Sequence, residues 1–269
     1  MDWSKTKSIF IIVFAILNVF LYSLYLDRYT EGQKLEELTI PSIDEKLELE
    51  NITYENLPEN TGSEAYVTGK KKLFVASDVP GVDLQMNTMN EHALTVKFDE
   101  PIPLSGEVSE EALEEFVEDT IYEGDNYVFW KMDEDQQEAL FFQEVKGKPL
   151  FYSENGQLTL HFNKNAEVTH YEQTLFENIE EAELKKKVIP PLQAIHTLYQ
   201  RQILQPNTHI DSAALGYTEY VTVSENTLMF LPTWRINVTL EDGTKEEYFV
   251  NAIKDGIVEV KQKETKLVE

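Results

Sequence analysis

The sequence contains no cysteine among its 269 residues. A chain without thiols forms no disulfide bond, offers no thiolate nucleophile and cannot hold zinc or an iron–sulfur cluster through cysteine. The absence does not identify a compartment, because a bacterial cytoplasm and an outer surface without disulfides both fit it.

Positive charge is also scarce. The chain has 23 lysine and arginine residues against 49 aspartate and glutamate residues, which gives a formal net charge of −26. Non-specific binding to nucleic acid and adsorption to anionic lipid both need clustered cations. The composition therefore predicts no nucleic-acid partner. The acidic residues are spread along the chain, which is typical of a solvated surface that keeps a domain soluble.

Catalytic and cofactor motifs are missing as well. The chain has no glycine-rich nucleotide loop, no G-x-S-x-G elbow and no H-E-x-x-H zinc motif. His161 and His170 are the closest histidine pair, but they lack the further ligands of a zinc site, so we interpret them as ordinary sheet histidines. The acidic run at residues 133–135 fails as a calcium loop, because Glu138 stands where that loop needs glycine, and we interpret the run as a hairpin tip. We predict no cofactor, no metal site and no catalytic site.

An uncharged stretch at residues 9–26 is the strongest pattern in the sequence. As a helix rising about 1.5 Å per residue it would span about 27 Å, close to the hydrocarbon thickness of a bilayer. Lys5 and Lys7 precede it, and this positive flank favours a cytoplasmic N-terminus. The alternative is a cleaved signal peptide, which would have a shorter apolar core and a small-residue cleavage site after it. We predict a cytoplasmic start at residues 1–8, one uncleaved transmembrane helix at residues 9–26 in the cell membrane, and an extracytoplasmic remainder.

One face of the predicted helix suggests that it binds a partner. Residues at alternating spacings of four and three form a heptad seam. The seam comprises Ile11, Ala15, Asn18, Tyr22, Tyr25 and Tyr29. A buried amide in lipid needs a hydrogen-bonding partner, and a small residue such as Ala15 allows a neighbouring backbone to approach. The seam predicts packing against another membrane helix. The alternative is that Asn18 is tolerated in the membrane and has no role.

The extracytoplasmic remainder is predicted to have an α+β fold. An acidic stalk at residues 27–65 leads into a first unit at residues 66–182 and a second unit at residues 183–269, each a helix beside an antiparallel meander. Ser109 and Pro190 are suited to begin the two helices. Runs of β-branched and aromatic residues predict the strands. The pattern implies that each helix packs on a sheet face.

Turn residues predict how several strands connect. A glycine after asparagine or aspartate predicts hairpins at Asn155-Gly156, Asp242-Gly243 and Asp255-Gly256. A turn at Lys164-Asn165 would pair His161 with Val168 and leave His170 diagonal to His161. Residues 178–187 are interpreted as a helical or mixed connection.

Segments at both ends of the chain carry a resemblance to a known family. They are Asp2-Trp3, Lys5, Lys7, Ile9-Phe10-Ile11 and Leu17-Asn18-Val19-Phe20-Leu21 near the N-terminus, and LPTWRI from Leu231 to Ile236 near the C-terminus. With a short cytoplasmic start, one anchor, a long acidic outer region and no cysteine, the sequence resembles the YycI (WalI) family of bacterial regulatory membrane proteins.

The resemblance implies a function and partners. Such proteins act with the related protein YycH on the sensor histidine kinase WalK, also called YycG, which controls cell-wall metabolism in low-GC Gram-positive bacteria. Contacts are expected through the transmembrane helices, and the outer domains are expected to pair. The implied outer fold is α+β, related to the C-terminal part of YycH, and no catalytic site is carried over.

Two other classes of function remain open from the residues alone. An extracytoplasmic ligand-binding or scaffold module would function through its outer domain with any anchor. A membrane-tethered cell-wall hydrolase would need converging carboxylates or a metal ion in a cleft. The regulator is favoured because the clearest special feature of the sequence lies in the predicted membrane helix.

Overall fold

The computed structural model describes residues 7, 11, 13–26, 28, 42–59, 62–75, 78 and 92–260. The chain divides into two compact units, Met1–Glu50 and Asn51–Glu269. The second unit holds two large sheets, antiparallel except for the parallel pair of β1 and β11, with helices packed on them, so the predicted α+β class is confirmed. The finer domain boundaries proposed from the sequence stay predictions.

The first unit is helical where it is described. Helix α1 covers residues 13–26, and Lys7, Ile11 and Arg28 are helical as well. Among the described residues, no helix has both the length and the apolar character needed to cross a bilayer. Part of the range 9–26 lies outside those residues, so the predicted transmembrane helix is unconfirmed.

A second helix in this unit, α2 at Ile43–Leu49, begins with a capping box. Ser42 Oγ accepts a hydrogen bond from the Glu45 backbone N–H at 3.2 Å, and Glu45 Oε2 accepts one from the Ser42 N–H at 2.8 Å. These two bonds satisfy N–H groups that would otherwise lack partners at the helix start. The range 27–65 predicted as a stalk therefore contains regular structure.

The first sheet has the strand order β4-β8-β7-β6-β5. Its strands are β4 Ala93–Pro103, β5 Tyr127–Asp133, β6 Glu138–Gln143, β7 Gln157–Phe162 and β8 Glu167–Thr174. Helix α3, Glu110–Thr120, begins at Ser109, whose hydroxyl accepts from the Ala112 N–H at 3.3 Å. Its buried side chains, Leu113 and Phe116 among them, share one core with the inner face of this sheet.

The second sheet has the path β1-β11-β12-β13-β14, with β3 paired to β12 and β9 paired to β3. Its strands are β1 Thr53–Tyr54, β3 Val67–Lys71, β9 Phe176–Glu181, β11 His209–Ser224, β12 Thr227–Thr239, β13 Lys245–Asn251 and β14 Ile257–Val258. Helix α4, Pro191–Gln200, begins with proline and packs against β12 and β13. A separate pair joins β2 Ser63–Glu64 and β10 Lys186–Lys187.

The interpretation of residues 178–187 as a helical or mixed connection was wrong. Strand β9 occupies its first part, and Glu181 pairs with Val67 of β3. The partner strand lies more than a hundred residues earlier in the chain, so local periodicity could not reveal the pairing. Strands β3 and β9 thus enter the second sheet although they come from the range 66–182.

The predicted turns had mixed outcomes. Asp242-Gly243 joins β12 to β13, and Asp255-Gly256 joins β13 to β14, as expected. The prediction at Asn155-Gly156 was wrong: the Gly156 N–H donates to the Ser153 carbonyl at 3.1 Å, and Asn155 does not have the positive φ that a type I′ turn requires. The segment at residues 149–151, just before this turn, lies outside the first sheet and contacts the second sheet.

That bridge depends on a glycine. Leu150 forms a parallel bridge with Tyr217 of β11. A Cβ atom on neighbouring Gly216 would lie 2.4 Å from the Phe151 ring and 2.6 Å from the Pro149 carbonyl oxygen. A side chain at this position would push the segment away from β11, so glycine allows the two backbones to approach.

Candidate functional site

The seam predicted to bind a partner helix falls largely on α1. Four of its residues lie in the continuous helix, at spacings that place them along one stripe: Ala15, Asn18, Tyr22 and Tyr25. Ile11 is helical and exposed, and Tyr29 lies outside the described residues. The helical backbone that the seam requires is present, and its role in binding stays a prediction.

Asn18 makes a hydrogen bond within its own helix. Its Nδ2 donates to the Phe14 carbonyl oxygen, one turn earlier, at 2.9 Å. An asparagine amide has a second N–H donor and a carbonyl acceptor. The helix therefore satisfies part of the amide and fixes its orientation, and the Oδ1 atom is suited to accept a hydrogen bond from another helix.

A cluster of rings around Arg235 joins the two sheets of the second unit. Arg235 lies on β12 in the LPTWRI segment, and its guanidinium carbon stands 4.0 Å from the centroid of the Trp130 ring on β5. The same group pairs through Nε with Glu247 Oε2 on β13 at 2.5 Å. Further rings complete the cluster: Phe142, Phe151, Tyr152 and Phe249.

The polar groups of this cluster depend on one another. Tyr152 donates its hydroxyl proton to Glu247, and Trp130 Nε1 donates to the Tyr152 hydroxyl at 3.3 Å. Burial, and then the hydrogen bond to Glu247, raises the pKa of Tyr152, so the phenol remains a donor at neutral pH. The side chains of Arg235 and Glu247 are only 24% and 14% exposed, so losing either one leaves a poorly solvated charge.

A groove of about 720 Å³ opens beside the cluster, over β12 and β13. Its polar lining comprises Asp211, Arg235, Asn237, Lys245, Glu246, Glu247 and Tyr248. Carboxylates, cations and an amide together suit a polar molecule of mixed charge. Because Arg235 and Glu247 belong to both the groove and the cluster, a molecule bound here would contact the residues that join the sheets. The sequence indicated only Arg235, as part of LPTWRI.

The histidine pair differs from its predicted register. His161 pairs directly with His170, and their rings stack in parallel with centroids 4.0 Å apart. Ala166 adopts positive φ at the turn, and a bulge at Thr169 adds one further residue. These two extra residues moved the partner of His161 from Val168 to His170.

Charged residues flank the stacked rings on adjacent strands. Lys97 pairs with His170 from β4, and Glu138 pairs with His161 from β6. Glu138 Oε1 lies 3.2 Å from His161 Nδ1. Burial, and then the neighbouring His161, lowers the pKa of His170, while Glu172 opposes this shift.

We expect the His170→Asn variant to lose less stability under mild acid than the wild-type protein. Because the folded pKa of His170 lies below that of the unfolded chain, the unfolded state binds more protons as the pH falls through about 6.5. Its contribution to stability is therefore present above that pH and lost below it. Urea unfolding at about pH 7.5 and about pH 5.5 measures the difference. Equal losses in the two proteins would show that His170 does not contribute.

Metal ligands do not converge in the part of the chain that the structure describes. Within those residues no group of three or more histidine, aspartate and glutamate side chains is placed to hold a metal ion.

Similarity to known proteins covers most of the chain. The family described as YycI protein matches residues 30–253. The crystal structure of an uncharacterized protein from Eubacterium rectale ATCC 33656 is 11% identical, with a TM-score of 0.45, over 78% of this chain and 89% of that chain. The Bacillus megaterium YpeB C-terminal domain is 14% identical, with a TM-score of 0.40, over 63% of this chain and 72% of that chain. No curated protein matches the sequence.

Proposed function

The chain belongs to the YycI family, and from this membership we propose that it is a non-enzymatic, single-pass membrane protein that regulates a WalK/YycG-type sensor histidine kinase together with a YycH-like protein. YycI proteins are regulators associated with the WalK/YycG two-component system. In the proposed topology the N-terminus is cytoplasmic and the acidic α+β region is extracytoplasmic. The regulated process is cell-wall metabolism.

The membrane anchor is supported by the apolar stretch at residues 9–26. Its described part forms helix α1, and the large apolar side chains of α1 are exposed. A helix with an apolar surface all round is suited to lipid. Tyr22 and Tyr25, near its C-terminal end, are residues typical of the membrane interface.

Regulation through a helix requires only a modest difference in packing energy. If α1 packs against one state of the kinase better by about 1–3 kcal/mol, the populations of the two states change by about 5- to 150-fold. The contact must differ between the two states, because equal packing shifts nothing. The seam of Ala15, Asn18, Tyr22 and Tyr25 is the surface that we propose makes this contact.

Asn18→Leu is the single substitution that tests the seam. We expect the variant to bind the kinase about 3- to 30-fold more weakly, because interhelical hydrogen bonds in membranes contribute about 0.6–2 kcal/mol. Co-purification of the full-length protein with the kinase from membranes measures the change. Kinase autophosphorylation in the same membranes reports the regulatory effect.

Ser23→Leu is the matched control for this experiment. Ser23 lies on the same helix and is exposed, but it stands outside the seam. The substitution also replaces one polar residue by leucine, so it controls for the change in hydropathy. If Ser23→Leu weakens binding and Asn18→Leu does not, the seam has been assigned to the wrong face.

A further inference from the structure

Strand β11 has an open edge beyond Tyr217. Its other edge pairs with β12 as far as the hairpin. On the open side β1 pairs with its start, and Leu150 bridges to Tyr217, whose carbonyl accepts from the Phe151 N–H at 2.8 Å. Residues 218–224, here called the free edge, have no partner strand on that side among the described residues. Backbone groups without a partner strand form a template for another strand.

The side chains of the free edge are apolar and exposed. The exposed fractions are 54% for Tyr220, 48% for Val221 and 55% for Val223. Aromatic and β-branched residues favour strand pairing. Proteins normally shorten, charge or cover such an edge, because an exposed one pairs with other chains. The free edge is therefore suited to a further segment that covers it.

A groove of about 380 Å³ lies beside the free edge. It is lined by residues 218–222, by the segment at residues 151–155, and by Glu259 and Val260. Val260 is the last residue before the range 261–269, which lies outside the described residues. The chain thus reaches this groove at Val260, and the next residues begin beside it.

The groove and the residues that follow Val260 are complementary in charge. The groove lining holds three carboxylates, those of Glu154, Glu219 and Glu259, and none of the described residues that line it is a lysine or an arginine. Residues 261–269 read KQKETKLVE, with three lysines against two glutamates. This excess of positive charge is unusual in a chain with a net charge of −26.

The length of the segment is also sufficient. An extended strand advances about 3.3 Å per residue, so nine residues reach about 30 Å and the seven residues of the free edge span about 23 Å. Leu267 and Val268 can supply apolar side chains against those of the free edge. Surface ion pairs alone contribute little, so the edge hydrogen bonds and the apolar contacts are the main expected contributions.

We propose that the free edge of β11 is a strand-addition site for an extended segment with lysine and aliphatic residues, and that residues 261–269 of the same chain occupy it. Adding a strand to an exposed edge is a general mode of peptide recognition. Tethering at Val260 gives the segment an effective concentration on the order of mM, which favours it over a free chain. The inference does not depend on the proposed function.

A second copy of the chain is a less favourable occupant. Two free edges placed side by side would bring the carboxylate of Glu219 towards that of its counterpart, and like charges on neighbouring strands are unfavourable. An occupant that carries lysines avoids this repulsion. The charge of the groove therefore favours residues 261–269.

Hydrogen exchange of the full-length protein in detergent micelles tests the inference. In the first variant a glycine–serine segment of equal length replaces residues 261–269. We expect the amides of residues 218–224 to exchange about tenfold faster or more, because the edge hydrogen bonds that protect them are lost. A synthetic peptide with the sequence of residues 261–269, added at about 1 mM, should restore protection in this variant.

A second variant tests the role of charge. It combines Lys261→Glu, Lys263→Glu and Lys266→Glu, and we expect exchange at the free edge about threefold faster or more. The matched control changes three exposed lysines outside the groove lining to glutamate. They are Lys131, Lys164 and Lys254. This control adds the same negative charge, and its exchange should stay within about twofold of the wild-type rate.

Three results would overturn the inference. Equal exchange of residues 218–224 in the wild-type protein and the glycine–serine variant would show that residues 261–269 do not cover the free edge. Faster exchange in the variant that extends equally to residues 245–251 would show that the segment stabilises the fold in general. Protection that rises with protein concentration and does not depend on residues 261–269 would assign the free edge to a second copy.

Discussion

The Arg235→Ala variant is expected to lose about 2–3 kcal/mol of unfolding free energy. The substitution removes the guanidinium group from the Trp130 ring and from Glu247 at once. It leaves the carboxylate of Glu247, which accepts a hydrogen bond from the Tyr152 hydroxyl, with little access to water. Breaking a fully buried ion pair costs about 3–5 kcal/mol, and the partial exposure of this pair reduces that figure.

Urea unfolding of the wild-type and variant proteins measures this loss. Arg201→Ala is the control, because Arg201 is an exposed arginine at the end of α4 and is expected to change stability by less than about 0.5 kcal/mol. The double variant Arg235→Met, Glu247→Gln removes both charges and should recover part of the loss. If Arg235→Ala unfolds at the same urea concentration as Arg201→Ala, the contacts of Arg235 do not contribute to the free energy of unfolding.

The helices and several hairpins could be predicted because their determinants are local. Ser109 bonds to the first turn of α3, and Pro190 and Pro191 begin α4. Asp242-Gly243 places glycine at positive φ where the chain reverses between β12 and β13. Each of these signals acts within a few residues, so a single sequence contains it.

Register and long-range pairing could not be predicted in the same way. The His161–His170 pair depends on a bulge at Thr169, which adds one residue without any glycine or proline to mark it. Strands β9 and β3 pair although they are more than a hundred residues apart, and local periodicity contains no information on which distant strands pair. Asn155-Gly156 has the sequence of a hairpin turn, but the chain there crosses between sheets, and tertiary contacts decided its conformation.

The candidate sites differ in the same way, because some depend on local sequence and others on long-range contacts. The seam on α1 is a regular spacing within one helix, so the sequence could predict it. The ring cluster around Arg235 brings together side chains from β5, β6, β12 and β13 and from the segment that holds Phe151 and Tyr152. The sequence indicated only Arg235 of this cluster, as part of LPTWRI, because the other side chains come from distant parts of the chain.

Replacing residues 9–26 by polyleucine is expected to abolish regulation of the kinase while leaving the protein in the membrane. A polyleucine helix of the same length keeps the hydrophobic thickness but removes the amide, the small residue and the tyrosines of the seam. It therefore keeps membrane insertion and loses any packing that distinguishes one kinase state from another. The second unit, Asn51–Glu269, is unchanged in this variant.

The central claim is that the membrane helix carries the regulation, and co-purification with the kinase, measured together with kinase output in the same cells, tests it most directly. The account predicts that the polyleucine variant is present in the membrane at wild-type level, no longer co-purifies with the kinase and no longer changes its output. Normal association and normal output in that variant would contradict the account and would assign the function to the second unit.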